Sequence, residues 1–343
     1  MNLPAGLLRE INLKLENMHK RFFVSFFALL LRNWATRSFL SKRIAMMLWR
    51  LANNTLMPCS KKDFDDNLNV IPSLRKFGVW VGDKKDFGDI FCDQLSEIKQ
   101  MASPRIDRFI EKKSEAGFQQ ELEIKKQRNP KCMAKPFRFD VGDYLHFGQG
   151  LVSIREEDHF NLSLIKLAHN ETLMKIATTY LGVRPILGRF YYWYDFKLDK
   201  SPVSTQLWHR DGDDILFLKV FIPMNDQTLK NGAHSYCKQS HSLGKNHNIL
   251  AGADQQTKFQ TFKTVSNLDI WNQVGDDIVT FERKSGSVII EDTSGLHRGN
   301  PISDGSREMI VLEYMSALSP LSVKYDFGES FNPGLFPLLP QNQ

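Results

Sequence analysis

The sequence predicts an α+β fold with a mainly β core, in which helices come first and a β-sandwich or jelly roll follows. Three observations predict this order. Apolar residues recur at helical spacing in the first half, short runs of aromatic and β-branched residues follow from about residue 187, and no helical segment separates those runs. Strands without intervening helices pair antiparallel, which favours a sandwich or jelly roll over a parallel sheet.

The predicted helices cover residues 5–52, 89–103, 106–126 and 161–181. Pro58, Pro72, Pro104 and Pro130 mark breaks between them, because proline lacks the amide hydrogen that continues a helix. Gly182 is a suitable stop for the last helix. Short strands are predicted at 189–196, 204–208, 215–222, 278–281, 287–291 and 308–315, with turn residues between them.

Charge divides the 343-residue chain into two unequal parts. Nine of the 45 Lys and Arg residues but two of the 39 Asp and Glu residues lie in residues 1–52, so this segment carries +7 and the remainder −1. We therefore predict a basic helical N-terminal segment, residues 1–55, and a single domain, residues 56–343, with a jelly-roll core at about 185–320. The nearly neutral domain gives no electrostatic reason to expect nucleic acid as a partner.

The N-terminal segment contains one strongly apolar stretch, residues 22–31, between Arg21 and Arg32. It is too short to cross a bilayer, which takes roughly 20 helical residues, and no small-residue cleavage site follows it. One interpretation is a helix packed on the domain; the other is a basic, aromatic-rich helix on an anionic membrane surface. Four separated cysteines without a C-x-x-C pair predict reduced thiols and a cytoplasmic protein, peripheral at a membrane in the second interpretation.

A metal site is predicted from two separate segments. His209 and Asp211 are two positions apart, so on an extended strand they project to the same face and can meet around one point. Asp213 has the same parity and is the competing carboxylate. A strand opened by Gly286 ends near His297, and two histidines with one carboxylate form a facial triad that leaves three positions open on an octahedral metal.

Three open positions suit dioxygen and a bidentate 2-oxo acid. The second carboxylate of such a cosubstrate needs a cation, best the planar guanidinium of an arginine. Arg307, at the start of the next predicted strand, is the candidate, whereas Arg298 should point away because it is adjacent to a ligand. Lys219 lies within an apolar run and either reaches an edge or pairs with an internal anion, for which a cosubstrate carboxylate is the natural choice.

Residues 185–320 resemble the phytanoyl-CoA dioxygenase family of Fe(II)- and 2-oxoglutarate-dependent oxygenases. The resemblance is carried by His209 and Asp211 with their neighbours, by residues 219–225, 231–233 and 239–241, and by the segment from Gly286 through His297 to Arg307. It implies a cupin-like double-stranded β-helix with flanking helices. It also implies that His209, Asp211 and His297 are the catalytic metal ligands and that Arg307 holds the cosubstrate.

Two departures from the family pattern lie on the loop side. Gln239 stands in place of the glycine in the usual Gly-Ser-His, and Ala233 stands where proline is common. Both concern the shape of the substrate pocket more than the chemistry. His241 is interpreted as structural, and the remaining histidines are given no role, although His234 follows a turn that could face the mouth of the core.

The resemblance therefore implies an oxidoreductase: a dioxygenase that uses iron, 2-oxoglutarate and dioxygen to hydroxylate an unactivated C–H bond of a small organic or lipid-like substrate. Halogenating relatives replace the ligand carboxylate with a small residue, so the presence of Asp211 favours hydroxylation. A zinc hydrolase with the same three ligands is one alternative. A non-catalytic jelly-roll binding protein is another.

Overall fold

The computed structural model describes residues 39–66, 68–114, 137–140, 143–146, 151–154, 158–197, 202, 204–242 and 275–319. The helices are α1 (Phe39–Leu56), α2 (Val70–Phe77), α3 (Asp89–Ser114), α4 (Asp158–Ala168) and α5 (Glu171–Leu181). The first strands are β1 (Val79–Asp83), β2 (Phe137–Asp140), β3 (Asp143–His146), β4 (Leu151–Ile154), β5 (Ile186–Phe196) and β6 (Leu218–Pro223). The later strands are β7 (His234–Cys237), β8 (Ile278–Thr280), β9 (Ser287–Glu291), β10 (His297–Gly299) and β11 (Ser306–Met315).

The strands form two antiparallel sheets. The larger has the order β1-β9-β6-β11-β5-β4-β3-β2 and the smaller the order β10-β7-β8; a β-bridge between His209 and His297 adds the segment before β6 to the smaller sheet. From β5 onward the chain passes back and forth: β5, β6, β9 and β11 lie in the larger sheet, and the His209 segment, β7, β8 and β10 in the smaller. This is a double-stranded β-helix, so the predicted jelly-roll fold with flanking helices is confirmed.

The larger sheet is covered on both faces. Val220 and Ile222 of β6 pack with side chains from α1 to α5 in the main core. Phe221 lies between them in sequence and packs on the other side, with Tyr236 of β7 and with Phe281. Side chains alternate across a strand, so Lys219 shares the side of Phe221 and faces the smaller sheet. Lys219, the charged residue within this apolar run, is therefore an inward-facing cation.

Helix α3 runs through Pro104, so the predicted break at this residue is wrong. Proline removes one backbone hydrogen bond and crowds the preceding turn. Ala102, Ile106 and Phe109 around it are all buried in the core, and this packing on both sides of the proline outweighs the local loss. The predicted helix 106–126 extends beyond Ser114 into residues outside those described.

The segment 161–181, predicted as one helix, forms two. α4 ends at Ala168, and α5 begins after Asn170, whose side chain accepts hydrogen bonds from the amides of Thr172 and Leu173. This is an N-cap, and its short polar side chain was the missed signal. Gly182 ends α5 in the left-handed conformation (φ 71°), as predicted.

Strands β5, β8, β9 and β11 match predicted strands closely, whereas residues 204–206 form a single 3-10 turn rather than part of a strand. The sequence analysis missed β1, β2, β3, β4, β7 and β10. These strands have three to five residues each, as do β8 and β9, so a clear period of two is not available at this length.

Helix α1 is part of the domain core. Ala45 and Trp49 are fully buried, and the Trp49 indole donates a 3.1 Å hydrogen bond to Asp214, just beyond the metal motif. Within the described residues, no helix is long and apolar enough to cross a membrane. Residues 1–38, with the apolar stretch 22–31, lie outside those described, so the domain division at residue 55 and the membrane interpretation stay predictions.

Candidate metal centre

His209, Asp211 and His297 converge between the two sheets. Reciprocal backbone hydrogen bonds of 3.0 Å join His209 and His297, so their rings lie side by side with centroids 4.2 Å apart. The amide of Asp211 donates to Thr293 at 2.9 Å, which keeps this segment extended and returns Asp211 to the face of His209. One ligand atom from each of the three residues lies within 4.8 Å of the others.

Backbone carbonyls orient both imidazoles. His209 Nδ1 lies 2.8 Å from the carbonyl oxygen of Leu207, and His297 Nδ1 lies 3.0 Å from that of Gly295. These contacts place the proton of a neutral imidazole on Nδ1 and leave Nε2 to bind a metal, as is typical of metal-ligating histidines. The Nε2 atoms lie 3.9 Å (His209) and 3.4 Å (His297) from the Asp211 carboxylate.

The surroundings set the charge of each ligand. Burial lowers the pKa of His209 to about 3. Burial acts to raise the pKa of Asp211, but Lys219 and His297 hold it well below its usual value. For His297, burial acts to lower the pKa, whereas the Asp211 carboxylate raises it, and the net shift is upward. His209 and Asp211 therefore have the charge states that a divalent cation needs, whereas metal binding would displace the proton that Asp211 favours on His297.

The turn before His297 is tied to two other elements. The hydroxyl of Tyr180 in α5 donates to Asp292 Oδ2 at 2.7 Å. The carbonyl oxygen of Asp292 accepts from the Tyr236 hydroxyl of β7 at 2.9 Å and from the amide of Gly295 at 3.0 Å. Because the carbonyl of Gly295 contacts His297 Nδ1, these bonds fix the orientation of the distal histidine relative to α5 and β7.

Lys219 faces three carboxylates, of which Glu313 is buried and Asp211 and Asp213 are partly exposed. Its Nζ lies 2.7 Å from Asp211, 3.3 Å from Asp213 and 3.6 Å from Glu313. Arg189 supplies a second cation, 3.4 Å from Asp213 and 3.8 Å from Glu313. Burial acts to lower the pKa of Lys219, but the carboxylates raise it above its usual value. The anions that the structure brings to Lys219 therefore belong to the chain itself, and one of them is a candidate metal ligand.

The residues that the sequence offered as alternatives, Asp213, Arg298 and His241, are not part of the ligand cluster. Asp213 contacts Lys219 rather than the histidines. The Arg298 guanidinium lies over the Trp208 ring, 4.9 Å from its centroid, and so points away from the metal centre as predicted. His241 Nε2 lies 3.3 Å from the carbonyl oxygen of Arg75 and is outside the cluster.

Arg307 reaches the same cavity from β11. Its Nε donates to Asp195 Oδ2 at 2.7 Å, and its Nη1 donates to the carbonyl oxygen of Gly232. Gly299 leaves room for the guanidinium, because a Cβ at this position would overlap it. Gly299 follows His297 by two residues, roughly 7 Å along an extended strand. The guanidinium and the distal histidine therefore lie on one face of β10.

A buried His–Glu pair that the sequence analysis did not predict completes this wall. His234 Nε2 lies 2.9 Å from Glu291 Oε2, and both side chains are buried. Burial lowers the pKa of His234 and raises that of Glu291 to about 8. The available signal was an ionisable residue at one end of each of two short strands, but strands this short showed no face on which to place it.

The cavity that joins these groups has a volume of about 70 Å³. The three ligands and Lys219 line it at one end, and Arg307, Gly299 and His234 line it further along. The remaining wall consists largely of apolar side chains and includes Trp193, Thr205, Phe221 and Met309.

No family model and no curated protein matches the chain. Solved structures with some similarity include the epimerase SnoN in complex with Fe3+, alpha ketoglutarate and nogalamycin RO (14% identity, 72% of this chain and 82% of SnoN, TM-score 0.45). Others are AviO1 from Streptomyces viridochromogenes Tue57 (17% identity, 74% and 97%, TM-score 0.44) and EctD from S. alaskensis with bound Fe (15% identity, 77% and 79%, TM-score 0.44). The function proposed below rests on the residues of the site.

Proposed function

We propose that the chain is an Fe(II)- and 2-oxoglutarate-dependent dioxygenase that hydroxylates an unactivated C–H bond of a small organic or lipid-like substrate. The observation that carries the proposal is the position of the His209, Asp211 and His297 ligand atoms, within 4.8 Å of one another, in a cavity that Arg307 also lines. The resemblance of these residues to the phytanoyl-CoA dioxygenase family supports the same function.

The donor set fits a ferrous ion, since two imidazoles and one carboxylate make the facial triad of non-haem iron oxygenases. Bound Fe(II) would supply the open coordination positions and the redox chemistry for dioxygen and a 2-oxo acid. The chain holds each ligand in place: carbonyl groups orient the two histidines, and Lys219 engages Oδ2 of Asp211.

Arg307 is proposed to bind the distal carboxylate of 2-oxoglutarate. A guanidinium can hold a carboxylate through paired hydrogen bonds, and Gly299 leaves room for this guanidinium in the cavity wall. Lys219 was the second candidate for cosubstrate binding. Because its Nζ already pairs with Asp211, we assign it to the metal end of the cavity, where it neutralises the ligand carboxylate.

The walls of the cavity favour an apolar substrate. Trp193, Phe221 and Met309 present apolar surface, which excludes water from the reacting carbon and strengthens the electrostatic contacts inside. These three side chains would hold a substrate mainly by its shape and its apolar area.

The proposal is tested with anaerobic protein, Fe(II) and 2-oxoglutarate. The wild type should show the weak metal-to-ligand absorption band of the chelate and should form succinate when air is admitted. Asp211→Ala and His297→Ala should abolish both signals, whereas Asp213→Asn, a carboxylate change two residues from the ligand, should keep the band. Absence of the band and of succinate in the wild type would refute the oxygenase function.

Arg307→Ala and Asp211→Ala separate the two rivals. The activity of a zinc hydrolase would need no 2-oxoglutarate and would not depend on Arg307, because that arginine would have no cosubstrate carboxylate to hold. A non-catalytic binding protein would keep its function in Asp211→Ala. Oxygenase activity requires both residues, so loss of 2-oxoglutarate-dependent succinate formation in both variants excludes both rivals.

A further inference from the structure

The His234–Glu291 pair is an unusual feature of the cavity wall. Glu291 is fully buried, and Oε1 of its carboxyl group has no hydrogen-bond partner among the described residues. Oε2 contacts His234 Nε2 at 2.9 Å. Replacing a buried ionisable pair with apolar side chains is often neutral or stabilising, so the pair is not explained by stability alone.

The pair lies next to Arg307. In the register of the smaller sheet, His234 is directly opposite Gly299, and Gly299 is the residue whose missing side chain leaves room for the Arg307 guanidinium. Arg307 also donates to the carbonyl of Gly232, two residues before His234. His234 and Arg307 therefore both line the cavity beside Gly299.

The His234 ring is held in a fixed plane. It stacks on Phe221 with ring centroids 4.6 Å apart and lies nearly parallel to Phe281 at 6.3 Å. With Nε2 held by Glu291, Nδ1 is the nitrogen that remains for a second hydrogen bond. A carboxylate beside Nδ1 would favour the tautomer with Nδ1–H as the donor, in which a protonated Glu291 donates to Nε2.

The positive charge of Arg307 is partly neutralised by the chain itself, before any ligand binds. Its Nε is bonded to the buried Asp195 carboxylate, and one Nη1 hydrogen is bonded to Gly232. An anion bound here would therefore face a guanidinium that is already largely neutralised. A second, uncharged donor close by would add to its binding energy without another buried charge.

We infer that His234, held by Glu291, donates a hydrogen bond to the distal carboxylate of the cosubstrate beside Arg307 and so makes the cavity selective for a dicarboxylic 2-oxo acid. This inference rests on the proposed function. It identifies His234 as a specificity-determining residue and Glu291 as the residue that positions it. Neither of them is a metal ligand.

The test compares two ligands in anaerobic Fe(II)-loaded protein by titrating the metal-to-ligand absorption band. One ligand is 2-oxoglutarate, and the other is 2-oxopentanoate, which has the same carbon chain without the distal carboxylate. His234→Leu should raise the Kd for 2-oxoglutarate about 10- to 100-fold, the effect expected for one hydrogen bond to a charged group. The Kd for 2-oxopentanoate and the affinity for Fe(II) should be unchanged.

Three further variants complete the design. Glu291→Gln keeps the size of the side chain and a donor to His234 Nε2, so it should leave both Kd values near those of the wild type. Glu291→Leu removes that donor and should weaken only 2-oxoglutarate binding, by a smaller factor than His234→Leu. His241→Leu makes the same change at a histidine outside the cluster and should have no effect. Equal weakening of both ligands by His234→Leu, or of neither, overturns the inference. A wild type that binds neither ligand refutes the proposed function itself, and that measurement comes first.

Discussion

Replacement of Lys219 by methionine should strongly destabilise the metal-free protein. Lys219 has 11% of its side chain exposed and lies within 4 Å of three carboxylates, of which Glu313 is 1% exposed. Methionine fills similar space but leaves those carboxylates with Arg189 as the remaining nearby cation. Removing one partner of a buried ion pair costs about 3–5 kcal/mol, because the other charge stays buried.

A surface pair gives the matched control. Lys284 lies 2.6 Å from Asp226, slightly closer than Lys219 lies to Asp211, but 85% of the Lys284 side chain is exposed. Water and salt screen such a pair, so Lys284→Met should leave the free energy of unfolding unchanged within error. The comparison holds the substitution and the distance nearly constant and changes the burial.

The assay is urea unfolding of metal-free protein followed by circular dichroism. Addition of Mn(II), which can occupy the centre without turnover, should stabilise Lys219→Met more than the wild type, since the metal replaces the missing cation beside Asp211. A loss below about 1 kcal/mol, the upper range for exposed pairs, would show that Lys219 is not electrostatically required. An equal metal effect in both proteins would show that Lys219 does not act through Asp211.

Three more predictions follow from the site. Tyr180→Phe should lower the free energy of unfolding by about 1–3 kcal/mol and also weaken metal binding. Tyr314→Phe removes another buried 2.7 Å hydrogen bond and should lower the free energy of unfolding only. Unfolding and metal titration of both variants check this. Gly299→Ala should displace Arg307 and raise the Kd for 2-oxoglutarate at unchanged Fe(II) affinity; an unchanged 2-oxoglutarate titration would contradict it. Glu291 binds its proton more tightly when folded, so its contribution to stability should be lost as pH rises from 4.5 to about 8. Metal-free Glu291→Gln should therefore gain stability relative to the wild type across this range, and parallel pH profiles would refute that expectation.

The parts of the fold that could be predicted are those with enough residues to show a pattern. The long strands β5 and β11 and the apolar strand β9 stood out, and spacing by two predicted that His209 and Asp211 lie on one face. What decided between Asp211 and Asp213 was tertiary: the Asp211 carboxylate lies 3.4 Å from His297 Nε2, whereas Asp213 also contacts Arg189. Strand parity alone treats the two carboxylates alike.

The cation pairing and the His234–Glu291 pair could not be predicted from local sequence. The sequence left two positions open for Lys219, at an edge or paired with an internal anion. In the structure its main partner is Asp211, eight residues earlier in the chain and itself predicted as a metal ligand. His234 and Glu291 are 57 residues apart and meet only because β7 and β9 lie in opposite sheets. Contacts across the two layers depend on register, which short strands do not reveal.

The packing of α1 limits how far the chain can be truncated from its N-terminus without disturbing the core. Trp49 fills the core and bonds to Asp214, and the amide of Leu318 donates to Asn53 on the same helix. A protein cut at residue 52, the end of the basic segment, would lose Trp49 and uncover a buried carboxylate three residues from a candidate metal ligand. Liposome flotation to test membrane contact should therefore compare the full chain with a protein that begins at residue 39, so that a failure to bind lipid is not confused with a failure to fold.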